Sequence, residues 1–278
     1  MSYYIWYDGD KTYMFAIKLT IFMQIREGHI VGDTNITYDE EFGINTFKRY
    51  IVQALGEEFW DKLIEGMKLP DIHTEYQCKC SNMHRFMEKF DEMADSETIK
   101  RILYKVRHGL TPANSVWARE KFLEMDDLDK FLQFHLQKEL DMFIRLNVEG
   151  KDFYGQPITD EVLDFIKENP SMLAPVREGN KLLCMAFPGD MVKYLQAEDN
   201  RQKRYYACHC PFARESILAE NTVSSTLCNC SLGHVMNFTE AFLDRELEGR
   251  VVSSVLGGDL VCKYEITIPD DIMDRYVR

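Results

Sequence analysis

Apolar side chains recur at three- and four-residue spacing over 46–63: Phe47, Tyr50, Ile51, Ala54, Leu55, Phe59 and Leu63. That is the period of an amphipathic helix, and Leu69-Pro70 closes the segment. The period returns after Ser81, which is read as a helix start and puts Met83, Phe86, Met87, Phe90 and Met93 on one face. Ser96 is read as the cap of a third helix. Gly109 stops it, after Arg107 and His108 have met the negative end of its dipole. Thr111-Pro112 is a start signal, a cap followed by proline in the first helical position. The stripe then runs through Phe122, Leu128, Phe131, Leu132, His135, Leu136, Leu140 and Phe143. Met and Phe stripes of this kind are core faces. The start of the chain is less regular: Tyr3, Tyr4, Trp6 and Tyr7 read as an aromatic clamp on a core, and 15–26 as a helix.

The pattern changes after Asn147. Glu149-Gly150 and Gly155-Gln156-Pro157 mark a loop, Thr159 caps a short helix to Lys167, and Asn169-Pro170 breaks it. The run 181–187 is a short apolar strand candidate. A hairpin follows near the end: 250–256, the turn Gly257-Gly258-Asp259, and 260–268. In its second strand Leu260, Cys262, Tyr264, Ile266 and Ile268 alternate with polar-side positions, so one face is buried and Cys262 reads as packing. The expected fold class is α+β, with a mostly helical region over 1–175 and an α+β domain over 176–278 that carries the site. A chain of 278 residues has room for two such units.

Charge narrows the partners. Basic residues number 33 against 46 acidic, a formal net charge of −13. A nucleic-acid binder needs a basic surface to displace counterions, so that class is set aside. An anionic membrane surface is set aside for the same reason. The longest apolar-leaning run, 17–25, is interrupted by Lys18 and is too short to span a bilayer. Asp8 and Asp10 stand where a signal peptide would be basic and apolar, so a cytoplasmic protein is expected.

Six of the eight cysteines fall into three Cys-x-Cys pairs: Cys78 and Cys80, Cys208 and Cys210, Cys228 and Cys230. In a long chain of a reducing compartment, such clustering points to metal binding or thiolate chemistry rather than a disulfide scaffold. The competing reading is burial as small apolar side chains, which is how isolated Cys184 is taken. Pro211 after Cys210 suits the first position of a helix over 212–218, which would place Cys210 at its start. Ser231 after Cys230 is a cap for a helix carrying His234, Val235, Phe238, Phe242 and Leu243. A thiolate at a helix start feels about half a positive charge, so its pKa is expected to fall. Two pairs before two helices, seventeen residues apart, are expected to converge. Cys78 and Cys80 lie in a helix connection far upstream and are expected to stay apart from them.

Convergence allows two chemistries. Cys208, Cys210, Cys228 and Cys230 can hold Zn²⁺ in a closed tetrahedral site, although one intervening residue is shorter than the usual chelating spacing. Alternatively Cys210 or Cys230 is a nucleophile and His234 its acid or base. Arg204 and Arg214 flank the first pair and are candidates to clamp a carboxylate, with a solvated strand end as the plain alternative.

The run from Arg204 through Cys208-His209-Cys210-Pro211 to Ile217, with Cys228-Asn229-Cys230-Ser231-Leu232-Gly233, resembles an uncharacterised bacterial family marked by these paired motifs. Its members are described as similar to L-2-amino-thiazoline-4-carboxylic acid hydrolase. The tail, from Phe242-Leu243 through Gly257-Gly258-Asp259 to Ile266, resembles the end of that hydrolase family and the vinyl-reductase-type small-molecule-binding domain. The resemblance implies a ligand-binding α+β C-terminal domain. The leading expectation is a hydrolase of the thiazoline-carboxylate type acting on a small anionic molecule. A zinc-containing small-ligand sensor or binding module is the alternative, and a thiol redox protein the second alternative.

Overall fold

The computed structural model describes residues 6–8, 11–13, 43–71, 76–107 and 116–278. Here the apolar stripes of the first half become helices interrupted where the backbone turns left-handed. The 46–63 stripe is two helices, α1 (Ile44–Leu55) and α2 (Glu57–Ile64). Gly56 divides them at φ 88°, a conformation that costs a residue without Cβ little. Phe47, Ile51, Trp60 and Leu63 are their buried face. α3 (Tyr76–Met93) begins well before Ser81, so Cys78 and Cys80 belong to its first turns and not to a connection. Met83, Phe86, Met87 and Phe90 on it are fully buried. Asp95, not Ser96, caps α4 (Ser96–Val106) by accepting from the Thr98 N–H, and Arg107 ends it at φ 45° before Gly109 is reached. The next stripe is α5 (Val116–Met125) and α6 (Leu128–Glu149), separated by Asp126 at φ 49° and the cap Asp127. Tyr3, Tyr4, the 15–26 helix and Thr111-Pro112 lie outside the described residues.

β1 (Trp6–Asp8) pairs with β2 (Lys11–Tyr13), and β3 (Asp152–Phe153) with β4 (Gln156–Pro157). Thr159 caps α7 (Asp160–Glu168) as expected, its hydroxyl accepting from the Val162 N–H. The remaining elements are β5 (Val176–Glu178), β6 (Lys181–Met185), α8 (Met191–Gln196), α9 (Asn200–Ala207), α10 (Asn229–Leu243), β7 (Glu248–Ser253), β8 (Lys263–Thr267) and α11 (Asp270–Tyr276). Four of the strands form an antiparallel sheet in the order β5-β6-β8-β7. The expected terminal hairpin is therefore present, with Cys262, Tyr264, Ile266 and Ile268 buried. Leu260 departs from that face: it sits in the connection and is 36% exposed.

The chain is α+β. One contiguous core takes Phe86 and Leu103 from the first half together with Leu232, Phe242 and Tyr264 from the second, so residue 175 marks no boundary in the core. α10 is buried on nearly all sides, and α4 lies against it. Two glycines make its close packing possible. A Cβ on Gly233 would stand 2.0 Å from the Tyr104 carbonyl oxygen, and one on Gly249 of β7 would meet Leu232 and Met236 of α10 within 3.2 Å. Among the described residues, no helix is long and apolar enough to cross a membrane.

Candidate functional site

α9, capped by Asp199, ends at Ala207, and the Cys208 N–H bonds back to the Arg204 carbonyl. After Cys210 the chain makes a tight turn: the Ala213 and Arg214 N–H groups both donate to the Cys210 carbonyl. Only a single 3₁₀ turn follows, at Arg214–Ile217. Cys210 therefore does not start an α-helix, and the expected helix field is missing there. The second pair does meet one. A 3₁₀ turn at Ser225–Cys228 leads directly into α10, with Cys228 at the cap and Cys230 inside the first turn; Ser231 is not the cap.

The two pairs come together as expected. Cys208, Cys210, Cys228 and Cys230 line one small cavity of about 20 Å³. Cys262 lines it too, and the Val255 N–H points at its Sγ at 3.5 Å. Burial pushes the Cys208 and Cys230 thiols up to about 12, and those of Cys210 and Cys228 well above the ordinary range. Neighbouring sulfurs add to the effect at Cys208, Cys210 and Cys228. This reverses the expected lowering, because withdrawal from water outweighs the partial charge of one helix end. Cys80 is also buried, but it does not line this cavity. The side chain of Cys78 lies outside the described residues. Among the described residues, no three His, Cys, Asp or Glu side chains stand ready in metal-ligating geometry.

His234 projects elsewhere. With His209 and Ser231 it lines a second cavity of about 490 Å³, inside the usual range for small-molecule sites. Phe153, Phe187 and Phe238 give this cavity apolar walls, and β6 and β8 contribute Met185 and Tyr264. Its polar groups include His135, Gln156, His209, Ser231, His234 and Tyr264. Gln156 is committed to structure, accepting from the Met191 N–H and donating to the Pro188 carbonyl. Loss of water holds His234 near 4, helped by His209 and opposed by a hydrogen bond with the Arg107 backbone. Among the described residues, no Asp, Glu, Lys or Arg lines this cavity. His209 and Ser231 line both cavities, so the segments carrying the thiols also form a wall of the larger one.

The two arginines are placed differently from the expected clamp. Arg204 donates from Nε to the Val255 carbonyl at 2.7 Å, bracing the loop before Cys262. The Arg214 guanidinium lies 4.3 Å from the centre of the Tyr205 ring. Neither lines the large cavity. The expected catalytic set is thus divided: Cys210 and Cys230 face the small cavity, His234 the large one.

Sequence reasoning assigned His135 to a core stripe and Cys262 to strand packing. Both are buried, yet each also lines a cavity, and only the meeting of α6, α10 and the sheet shows it. Compared with protein-family models, with curated proteins and with solved structures, the chain matches none of them.

His135 supplies a pH test. Burial, with Lys138 nearby, lowers its pKa from 6.5 to about 4, although Glu139 Oε1 stands 3.7 Å from Nδ1. The unfolded chain takes up the proton first, so stability is fully present above pH 6.5 and falls as the pH drops toward 4. At about 1.4 kcal/mol per pKa unit, this one ring accounts for about 3 kcal/mol. Its ring stacks on Phe238 at 4.3 Å, a contact that His135→Phe keeps. Urea melts at pH 7 and pH 4.5 should show His135→Phe losing clearly less stability on acidification than the parent. Equal losses would mean that His135 is not held neutral in the fold.

Proposed function

We propose that the protein binds a small, uncharged, largely aromatic or aliphatic molecule in the 490 Å³ cavity between α6, α10 and the four-stranded sheet. The observation that carries this reading is the lining: aromatic walls, a few polar groups held neutral, and no charged side chain among the described residues. A carboxylate there would give up its water with no cation to pair with, which costs several kcal/mol. An uncharged ligand loses little and gains apolar burial. His234, His209 and Ser231 would then fix its orientation by hydrogen bonds, each presenting a donor or acceptor at no net charge. This supports the ligand-binding module over a thiazoline-carboxylate hydrolase, whose substrate carries a charge that finds no partner among the described residues of this cavity.

The test uses Nile red, a neutral dye whose fluorescence rises in apolar surroundings. One saturable site is expected in the parent protein. Val235, on the cavity wall from α10, is replaced by tryptophan to fill the space. Val235→Trp should weaken dye binding at least about tenfold, equivalent to 1.4 kcal/mol, while the circular dichroism stays unchanged. Equal binding by both proteins, or none by the parent, would remove the cavity from consideration. Displacement of the dye by 2-amino-thiazoline-4-carboxylate, with ring opening, would restore the hydrolase reading.

A further inference from the structure

We infer that Cys208, Cys210, Cys228, Cys230 and Cys262 together form the binding site of a thiophilic d¹⁰ cation, Zn²⁺, and that Cys262 belongs to it although no Cys-x-Cys motif marks it. This goes beyond the small-molecule reading and stands without it.

Three separate stretches of chain bring these sulfurs to one point: the loop after α9, the start of α10 and the approach to β8. The void they surround is about 20 Å³, room for a single water-sized occupant. Zinc bound by thiolates needs space of that order, with sulfurs about 2.3 Å from the ion. The donor set also selects the ion. Leu227, Val255, Leu256, His209 and Ser231 complete the walls, and among the described residues no carboxylate takes part, so the hard oxygen-seeking cations find no anionic oxygen to bind.

A second observation separates this arrangement from plain packing. The Val255 N–H is directed at Cys262 Sγ, and Arg204 donates to the Val255 carbonyl at 2.7 Å, so both backbone groups of this residue are tied down. Backbone donors aimed at sulfur stabilise thiolates in metal centres and orient them. A cysteine serving only as a small apolar side chain needs no such donor. The sulfurs do not stand at ligating distance beforehand, so loading draws them inward by rotation about their Cα–Cβ bonds. Four of the five coordinate, each passing its proton to the solvent, and the fifth stays a thiol beside the filled shell. With four thiolates around the ion and no open ligand position, the site is structural: it ties the loop after α9 and the start of α10 to the sheet.

Reduced full-length protein, stripped of metal and kept free of oxygen, is titrated with Co²⁺ as a coloured stand-in for Zn²⁺. One equivalent should bind with a sulfur-to-cobalt charge-transfer band, release protons into a weak buffer, and be displaced by Zn²⁺. Cys262→Ser should weaken binding at least about tenfold, the lower bound even for an outer-sphere partner. Cys184→Ser, buried on β6 and away from the cluster, should not. Should Cys262→Ser fail to fold, the parent still decides. Iodoacetamide labelling of Cys262 would be slow with Zn²⁺ and fast once a chelator is added, whereas equal labelling in both conditions would overturn the proposal. It is overturned equally if the folded parent gives no charge-transfer band, or if folded Cys262→Ser binds the ion as tightly as the parent.

Discussion

Gly233→Ala should cost the protein more than about 3 kcal/mol, at or beyond the upper end for overpacked cores. Against a total stability of about 5–15 kcal/mol, that leaves much of the chain unfolded under mild denaturant. The added Cβ would lie 2.0 Å from the Tyr104 carbonyl oxygen, 2.7 Å from its carbon and 2.8 Å from its Cα. These are backbone atoms of α4, and they cannot rotate aside as a side chain would. The helices must separate. Separation strains the bond from the Tyr104 hydroxyl to the Gly249 carbonyl, which ties α4 to β7. Alanine is the better helix former by about 1 kcal/mol, so helix propensity works against the predicted sign and any net loss is steric. Gly43→Ala is the control, since a Cβ there meets nothing within 4 Å. Urea midpoints followed by circular dichroism decide the matter. Equal midpoints for Gly233→Ala and the parent would contradict the close approach of α4 and α10.

Arg107→Met is expected to cost about 3–5 kcal/mol by leaving a carboxylate buried without its counter-charge. Arg107 Nη1 stands 2.6 Å from Glu240 Oε2, and the Glu240 side chain is only 5% exposed. Arg107 also donates from Nε to the Tyr104 carbonyl, and Glu240 accepts from the Leu247 N–H. The pair thus joins the end of α4, the last turns of α10 and the entry to β7. Methionine keeps the apolar length of the arginine stem and removes the charge. Glu240→Gln in the same chain neutralises the stranded group and keeps an oxygen for the Leu247 N–H. The double variant should therefore recover much of the loss, a coupling readable in a double-mutant cycle of urea melts. Strict additivity of the two single changes would show that the charges do not act as a pair.

Periodicity alone identified the buried faces of the helices. Met83, Phe86, Met87 and Phe90 were readable because each side chain's direction follows from 3.6 residues per turn. Thr159 was readable as a cap for a similar reason, since its partner is the N–H three residues on. The terminal hairpin followed from alternation and a Gly-rich turn. The helix breaks at Gly56 and Asp126 were not readable. A left-handed residue there ends one helix while the next buries the same side of the molecule, so the apolar stripe continues across the gap.

The site divides along the same line. Two Cys-x-Cys pairs of similar context pointed to convergence, and they do converge. Cys262 carried no such mark, because its relation to the pairs is made by the approach to β8 packing against distant segments. The large cavity draws on residues from His135 to Tyr264, and no local pattern encodes a space. The thiol ionisation shows the division most plainly. Near neighbours in sequence suggested a helix-start field and a lowered pKa, but the thiols are raised by burial. Secondary structure and caps depend on residues a few positions away, so the sequence determined them. Burial, cavities and the loss of water depend on what the rest of the chain brings alongside, and only the tertiary structure decided those.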